Sequence, residues 1–223
     1  MCFSPTADFV AAAALTPLAV ATLRAAPTRR HLAIAALPAI FATHQFIEGF
    51  VWLGAQHSVS RGTFEAAIHL YLVIAQVLLP VFVPIAVMLT EPDKARRWLM
   101  AAGLGIGIAS AARFGWIIFA HDVGARPEDH TMVYDTDVNI GMWATITYVI
   151  ATCATTLVSS RRFVVALGVA NLIGLGLAAA IRYDAVTSVW CVYAAFVSAL
   201  VWLHLRSEQP SAPRPRTPLA ASA

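Results

Sequence analysis

The chain has few charged residues: Asp, Glu, Lys and Arg make up 12% of its 223 residues, whereas 59% are hydrophobic. A soluble domain carries about twice that charged fraction, so a soluble globular protein is excluded. The chain has three cysteines, an odd number without paired spacing, so no disulfide framework is implied. The formal net charge is only +3, and the basic residues lie in short loops, so nucleic acid is not an expected partner.

Apolar runs of about 20 residues recur along almost the whole chain, and each is long enough to cross the hydrocarbon core of a bilayer. We therefore predict an all-α membrane protein, a bundle of seven transmembrane helices. This domain occupies residues 1–205, and residues 206–223, rich in Pro, Ser, Ala and Arg, form a disordered tail. The predicted spans are residues 8–23, 32–54, 64–90, 98–120, 138–158, 163–181 and 185–204.

The basic residues predict the orientation of these spans. If the N-terminus is outside and the loops alternate between the two sides, the inner segments hold 11 of the 15 basic residues. The outer segments hold only Arg61, Arg126 and Arg182. This bias predicts an outer N-terminus and a cytoplasmic C-terminus. The first apolar run has Arg24 after it and no basic residue before it, which is the reverse of a secretory signal, so we expect a retained first span.

Ionisable residues inside these spans are the candidates for function. His44 and Glu48, spaced i and i+4, share one helix face, and such groups are costly at membrane depth. Counted from the outer span ends at about 1.5 Å per residue, Glu48 and His69 lie about 9 Å deep, Cys191 and Arg113 about 10 Å, and His44 about 15 Å. This common depth predicts a polar pocket that opens outward.

The pocket residues are of types that bind metals. His44, Glu48, His69 and Cys191 could hold zinc or another first-row transition metal and leave one position open for water. Cys2 is a further candidate ligand, because removal of the initiator Met would leave a terminal amine beside its thiol at the outer surface.

Structural roles explain many of the same residues. His44 and Glu48 can hydrogen-bond each other and fix helix packing, Arg113 can neutralise Glu48, and His121 is expected to be solvated in an acidic outer loop. The tryptophans near predicted span ends are typical of an aromatic belt: Trp52, Trp98, Trp116, Trp143 and Trp202.

Four segments resemble a known family: Met1-Cys2-Phe3-Ser4-Pro5-Thr6-Ala7, His44-Gln45-Phe46-Ile47-Glu48-Gly49, Arg182-Tyr183, and Ser188-Val189-Trp190-Cys191. They are similar to a family of uncharacterised bacterial integral membrane proteins, and the resemblance covers almost everything before the tail. It implies a multi-pass protein of the bacterial inner membrane and lends no activity. The seven-helix architecture also resembles intramembrane zinc hydrolases, but their multi-histidine signature in the last span is absent.

Several functions stay open. A metal-dependent hydrolase would act on a lipid or apolar substrate, with Glu48 as ligand or general base and Arg113 or Arg182 stabilising an anion. The alternatives are a transporter of a small solute, ion or proton, a membrane sensor or scaffold, and a haem protein with His44 and His69 as axial ligands.

Overall fold

The structure, a computed structural model, describes residues 4–128, 131–181 and 186–207, with side chains described for 4–128, 131–176 and 196–206. Seven helical rods account for most of these residues. The first four are α1 (Pro5–Ala25), α2 (Leu32–Ala35) joined to α3 (Leu37–Ala55), α4 (Arg61–Leu72) continued by a π-helical segment (Val73–Leu78) and α5 (Leu79–Thr90), and α6 (Lys94–Ala120). The last three are α7 (Met142–Val149) continued by a second π-helical segment (Ile150–Ala154) and α8 (Thr155–Leu157), α9 (Arg162–Ile181), and α10 (Val186–Ser207).

Four rods are long and apolar enough to cross a membrane: Pro5–Ala25, Arg29–Ala55, Arg61–Thr90 and Lys94–Ala120. The other three are also apolar, but shorter over the part of each that is described in full. Large apolar side chains such as Val10, Phe119 and Met142 lie exposed on the outside of the bundle. An apolar exterior around a packed interior fits a membrane protein.

Polar side chains cap the N-termini of three rods. Ser4, Ser60 and Asp93 cap the N-termini of α1, α4 and α6, each accepting a hydrogen bond from the backbone N–H three residues later, at 3.2, 3.2 and 2.8 Å. Such caps satisfy amides that have no partner within the helix, so they set the rod boundaries.

The third rod passes its prolines without breaking. The sequence predicts a tilted rod or one broken near Pro80 and Pro84, but the helix continues through both, and a π-helical segment precedes Pro80. Next to this segment, a Cβ on Gly107 would collide with the Pro80 carbonyl oxygen and lie 3.2 Å from Ala151. Gly103 and Gly107 inside the fourth predicted span indicate close helix packing, and Gly107 does allow α6 to pack closely between the two rods that contain π-helical segments.

The loop after α6, expected to be solvated, folds as a β-hairpin. Strands β1 (Val123–Glu128) and β2 (Thr131–Thr136) pair antiparallel, with Val123 opposite Thr136. Met132 is fully buried in a hydrophobic cluster with residues of α3, α4 and α6. His121 is half-buried, and its Nδ1 lies 3.3 Å from Asp137 at the other end of the hairpin. The hairpin thus covers one end of the bundle.

Trp52 belongs to the same cluster, which corrects its predicted place in an aromatic belt. It is 5% exposed and packs in the core, whereas Trp98, Trp116 and Trp143 are exposed. Trp52 lies on the face of α3 that turns towards α4, so its position near the end of a span did not decide its environment.

A buried carboxylate fastens the opposite end of the bundle. Glu91, between α5 and α6, is 3% exposed and accepts hydrogen bonds from Ser159 Oγ at 2.8 Å, Ser160 N at 2.8 Å and Ser160 Oγ at 2.6 Å. Burial alone would raise the pKa of Glu91, but the donors from Ser159, Ser160 and the Asp93 backbone hold it below its ordinary value. We call these contacts the Glu91 clasp; it joins the α5–α6 loop to the loop before α9.

Candidate functional site

A set of buried polar side chains lies between α1 and α3. Asp8, in the first turn of α1, and Glu48, in α3, are both 0% exposed, and His44 and Gln45 beside Glu48 are also buried. The Gln45 side-chain amide donates a hydrogen bond to Asp8 Oδ1 at 3.1 Å, which ties the two helices together. We call Asp8, His44, Gln45 and Glu48 the polar cluster.

Close packing of α1 on α3 seals this cluster. A Cβ on Gly49 would lie 2.7 Å from the Phe9 ring, so glycine is needed where Phe9 crosses α3. Phe9 also makes edge-to-face contacts with Phe46 and Phe50, with centroids 5.6 and 5.5 Å away. Phe9 follows Asp8 and Gly49 follows Glu48, so the same contact holds both carboxylates within the α1–α3 interface.

His44 is held by α4. Its Nε2–H donates to the Tyr71 carbonyl oxygen at 3.2 Å, and the two rings stack with centroids 3.9 Å apart. Tyr71 lies just before the first π-helical segment, where the backbone hydrogen-bond register changes and carbonyls become open to side-chain donors. Because a carbonyl can only accept, this bond leaves the lone pair of the neutral imidazole on Nδ1.

The hairpin extends this stack. The Tyr134 ring of β2 lies on the other face of Tyr71, with centroids 4.5 Å apart and an interplanar angle of 10°. His44, Tyr71 and Tyr134 therefore form a column of three rings, which we call the ring column. It runs from the polar cluster to the hairpin, and all four residues of the cluster are buried. The pocket that opens outward stays a prediction.

His69 does not join His44. Its Nδ1 lies 2.8 Å from the Glu65 carbonyl oxygen one turn earlier in α4, and its nearest aromatic neighbour is Phe119 of α6. His69 and Tyr71 are two residues apart, about 200° around a helix, so His69 lies on the face of α4 opposite the one that His44 contacts. His69 was predicted at the same depth as Glu48, but it does not lie beside His44.

Arg113 also lies away from the polar cluster. Its guanidinium stacks over Trp116 of the same helix, 4.8 Å from the ring centroid. Among the described ion pairs none joins Arg113 to Glu48. Among the described residues, no contact of Arg113 thus supports its predicted role in neutralising Glu48 or in stabilising an anion.

Three predicted site residues fall outside the described part: Cys2, Arg182 and the side chain of Cys191. Where the side chains are described, no three His, Cys, Asp or Glu residues lie close enough to hold a metal ion. The metal centre therefore stays a prediction.

The sequence did not indicate three of the residues that build this site: Asp8, Gln45 and Tyr134. An acidic residue in the first turn of a helix is common, so Asp8 gave no distinct signal. Gln45 is uncharged, and Tyr134 lies in a segment whose acidic residues indicated a solvated loop. The β-branched and aromatic residues of the segment Thr131–Thr136 were the available sign of a strand.

The family of this chain is known, although its activity is not. The model of a family of unknown function, DUF6629, matches residues 1–217, and the chain belongs to that family. No curated protein and no solved structure matches the chain.

Proposed function

We propose that this member of DUF6629 is a multi-pass protein of the bacterial cytoplasmic membrane, with seven transmembrane helices, an outer N-terminus and a cytoplasmic C-terminus. The apolar rods and the basic residues in alternate loops support this topology. In this orientation the hairpin faces outward and the Glu91 clasp faces the cytoplasm.

Impermeant thiol labelling of single cysteines tests the topology. In a cysteine-free background, we expect a cysteine at Ser58, before α4, to react in intact cells, and one at Ala95, in the first turn of α6, to react only after lysis. The reverse pattern would contradict the orientation, and labelling of both in intact cells would contradict the span between them.

We further propose that the polar cluster binds and releases a cation, in the simplest case a proton, and that the protein transports small ions. The observation that carries this proposal is the burial of Asp8 and Glu48 from two different helices, with an imidazole one turn away. Ionisable groups at membrane depth are typical of ion and proton pathways.

The arrangement of the cluster suits exchange of a proton. Glu48 lies one turn from both His44 and Gln45, and Gln45 donates to Asp8, so the two carboxyl groups and the imidazole share one enclosure. Charges placed so close titrate as a coupled set, in which gain of a proton at one group changes the affinity of the others. Gln45 fixes the Asp8 carboxyl group, and the Tyr71 carbonyl fixes the His44 ring.

Proton flux in proteoliposomes tests this function. The full-length protein is reconstituted with a pH-sensitive dye inside, and flux is driven by a potassium diffusion potential. We expect Glu48→Gln and Asp8→Asn to lower flux to the level of empty vesicles. Glu65→Gln, which removes an exposed carboxylate paired with Arg61, is the matched control and should transport like wild type. Equal flux in wild type and Glu48→Gln would refute proton transport through the cluster.

A metal-dependent hydrolase is the second candidate, and the His44–Tyr71 bond favours it. Histidines that bind metals usually donate their other ring N–H to a carbonyl or carboxylate, as His44 does, and its Nδ1 would then face a metal together with Glu48. Cys2 and Cys191 would complete the ligand set, and Arg182 would stabilise a developing anion. The metal would supply Lewis-acid activation of water.

Elemental analysis of purified protein separates the two candidates. A metal present in wild type, absent in His44→Ala and retained in His69→Ala would support the metal site, because His69 lies on the opposite face of α4. Equal metal content in all three proteins would count against it. A visible spectrum of the same samples tests the haem alternative, which the separation of His44 and His69 disfavours.

A further inference from the structure

A groove with a cavity volume of about 340 Å³ lies where α5 meets α6, far along the chain from the polar cluster. Its lining residues are Met88, Lys94, Arg97, Trp98 and Ala101. It is therefore apolar along one side and carries two cationic side chains.

The other charged residues around this groove already have partners. Glu91 is held in the clasp, and Asp93 caps α6 through the Arg96 backbone N–H at 2.8 Å. The Arg96 guanidinium donates to the carbonyl oxygens of Val158 at 2.7 Å and Ser159 at 3.1 Å. None of these three side chains lines the groove.

Lys94 and Arg97 differ from them. They lie one turn apart on α6 and line the same groove, and neither side chain makes a hydrogen bond or ion pair with any described residue. Two cations that face one groove attract an anion with more than one negatively charged or hydrogen-bond-accepting oxygen.

The groove lies at the ends of two candidate membrane spans. The two candidate spans that form it end at Thr90 and begin at Lys94. Trp98 is 78% exposed and Leu99 beside it is also exposed. An exposed Trp beside basic residues at the end of a span is typical of the headgroup region.

We propose that this groove binds an anionic phospholipid. Lys94 and Arg97 contact the phosphate and the anionic headgroup, and Trp98, Met88 and Ala101 line the path of the glycerol and upper acyl chain. The charge of the groove and its depth select a lipid from the surrounding membrane. This inference is independent of what the polar cluster does.

Native mass spectrometry of the full-length, delipidated protein tests the proposal. We expect phosphatidylglycerol to bind more tightly than phosphatidylcholine, and inorganic phosphate not to displace it. Each cation near an anionic headgroup contributes about fivefold in affinity, so Lys94→Gln/Arg97→Gln should weaken phosphatidylglycerol binding by about 25-fold. Arg29→Gln/Arg30→Gln removes the same charge from exposed residues elsewhere and should leave binding unchanged.

The variant Ala101→Trp distinguishes lipid binding in the groove from non-specific electrostatic attraction to the two cations. This variant keeps both cations and fills the apolar side, so it should also weaken phosphatidylglycerol binding. Unchanged binding in Ala101→Trp, an equal loss in Arg29→Gln/Arg30→Gln, or full displacement by inorganic phosphate would overturn the proposal. Thermal unfolding of each variant in the same detergent identifies any loss that follows from misfolding, in which case the remaining variants decide.

Discussion

Replacing Glu91 by alanine should destabilise the protein more than replacing any exposed carboxylate. The change removes the acceptor of four hydrogen bonds, from Ser159 Oγ, Ser160 N, Ser160 Oγ and the Asp93 backbone N–H. A hydrogen bond to a charged group contributes about 1.5–3 kcal/mol, and a buried donor left unpaired costs about 1–3 kcal/mol. Ser159 is buried, and its hydroxyl loses the acceptor for its proton while it still accepts from the Arg161 N–H, whereas Ser160 is exposed and can turn to water.

We therefore expect Glu91→Ala to lower the free energy of unfolding by about 3 kcal/mol. For a chain of this size that corresponds to a fall in Tm of about 6–12 °C. Thermal unfolding in detergent, followed by intrinsic fluorescence, measures it. Glu65→Ala is the control: its exposed pair with Arg61 contributes about 0–1 kcal/mol. A Tm for Glu91→Ala within the error of Glu65→Ala would show that the clasp does not stabilise the fold.

The same carboxylate predicts the direction of a pH effect. The folded-state pKa of Glu91 is below its ordinary value of 4.5, so its contribution is fully present above pH 4.5 and is lost as the pH falls through the folded-state pKa. Wild type should thus lose more stability than Glu91→Gln when the pH is lowered from 6 into that range. Parallel pH profiles of the two proteins would contradict this assignment.

Two further changes test the packing of the bundle and the hairpin. Gly107→Leu should prevent folding or lower stability by several kcal/mol, because its side chain would meet the Pro80 carbonyl. Gly105→Leu is the control: a Cβ there has open space, so this variant should resemble wild type in thermal unfolding and size-exclusion profiles. Tyr134→Ala should speed amide hydrogen exchange in β1 and β2 by about tenfold, since a stacked aromatic pair contributes about 0.5–1.5 kcal/mol beyond its buried area. Tyr134→Phe keeps the ring and should leave the exchange rate unchanged. Equal exchange in the two variants would show that the ring column does not stabilise the hairpin.

The rods were predictable because their signals are local. Apolar runs set the spans, and the structure places the ends of α1 and α6 within a few residues of those predicted. The spacing of His44 and Glu48 correctly indicated that both lie on a buried face, since i and i+4 neighbours share one side of a helix. Likewise, Gly107 inside an apolar run indicated close packing.

The contacts between rods were not predictable, because depth in the membrane does not fix the direction in which a side chain points. His69 shares a predicted depth with Glu48, yet it faces away from the polar cluster. The Glu91 clasp joins residues 68 positions apart, and a Glu followed by Pro in a short loop carries no sign of such a partner. Asp8 was equally inconspicuous, since only the fold brings its carboxyl group to Gln45.

Interactions of different kinds stabilise the two ends of the bundle, and this difference bears on which end would open to give access to the polar cluster. At one end, a buried carboxylate and two arginines form hydrogen bonds between loops: Arg96 binds the Val158 carbonyl, and Arg161 binds the Thr90 carbonyl at 2.8 Å. At the other end, the described contacts of the hairpin with the bundle include the stacking of Tyr134 and the burial of Met132, which are apolar and non-directional. Opening the clasp would break several hydrogen bonds to a charged group at once, whereas among the described residues lifting the hairpin separates one ring pair and a few apolar side chains. If the polar cluster exchanges ions with its surroundings, the hairpin end is therefore the one expected to open, and displacement of Tyr134 from Tyr71 is the movement that would begin it.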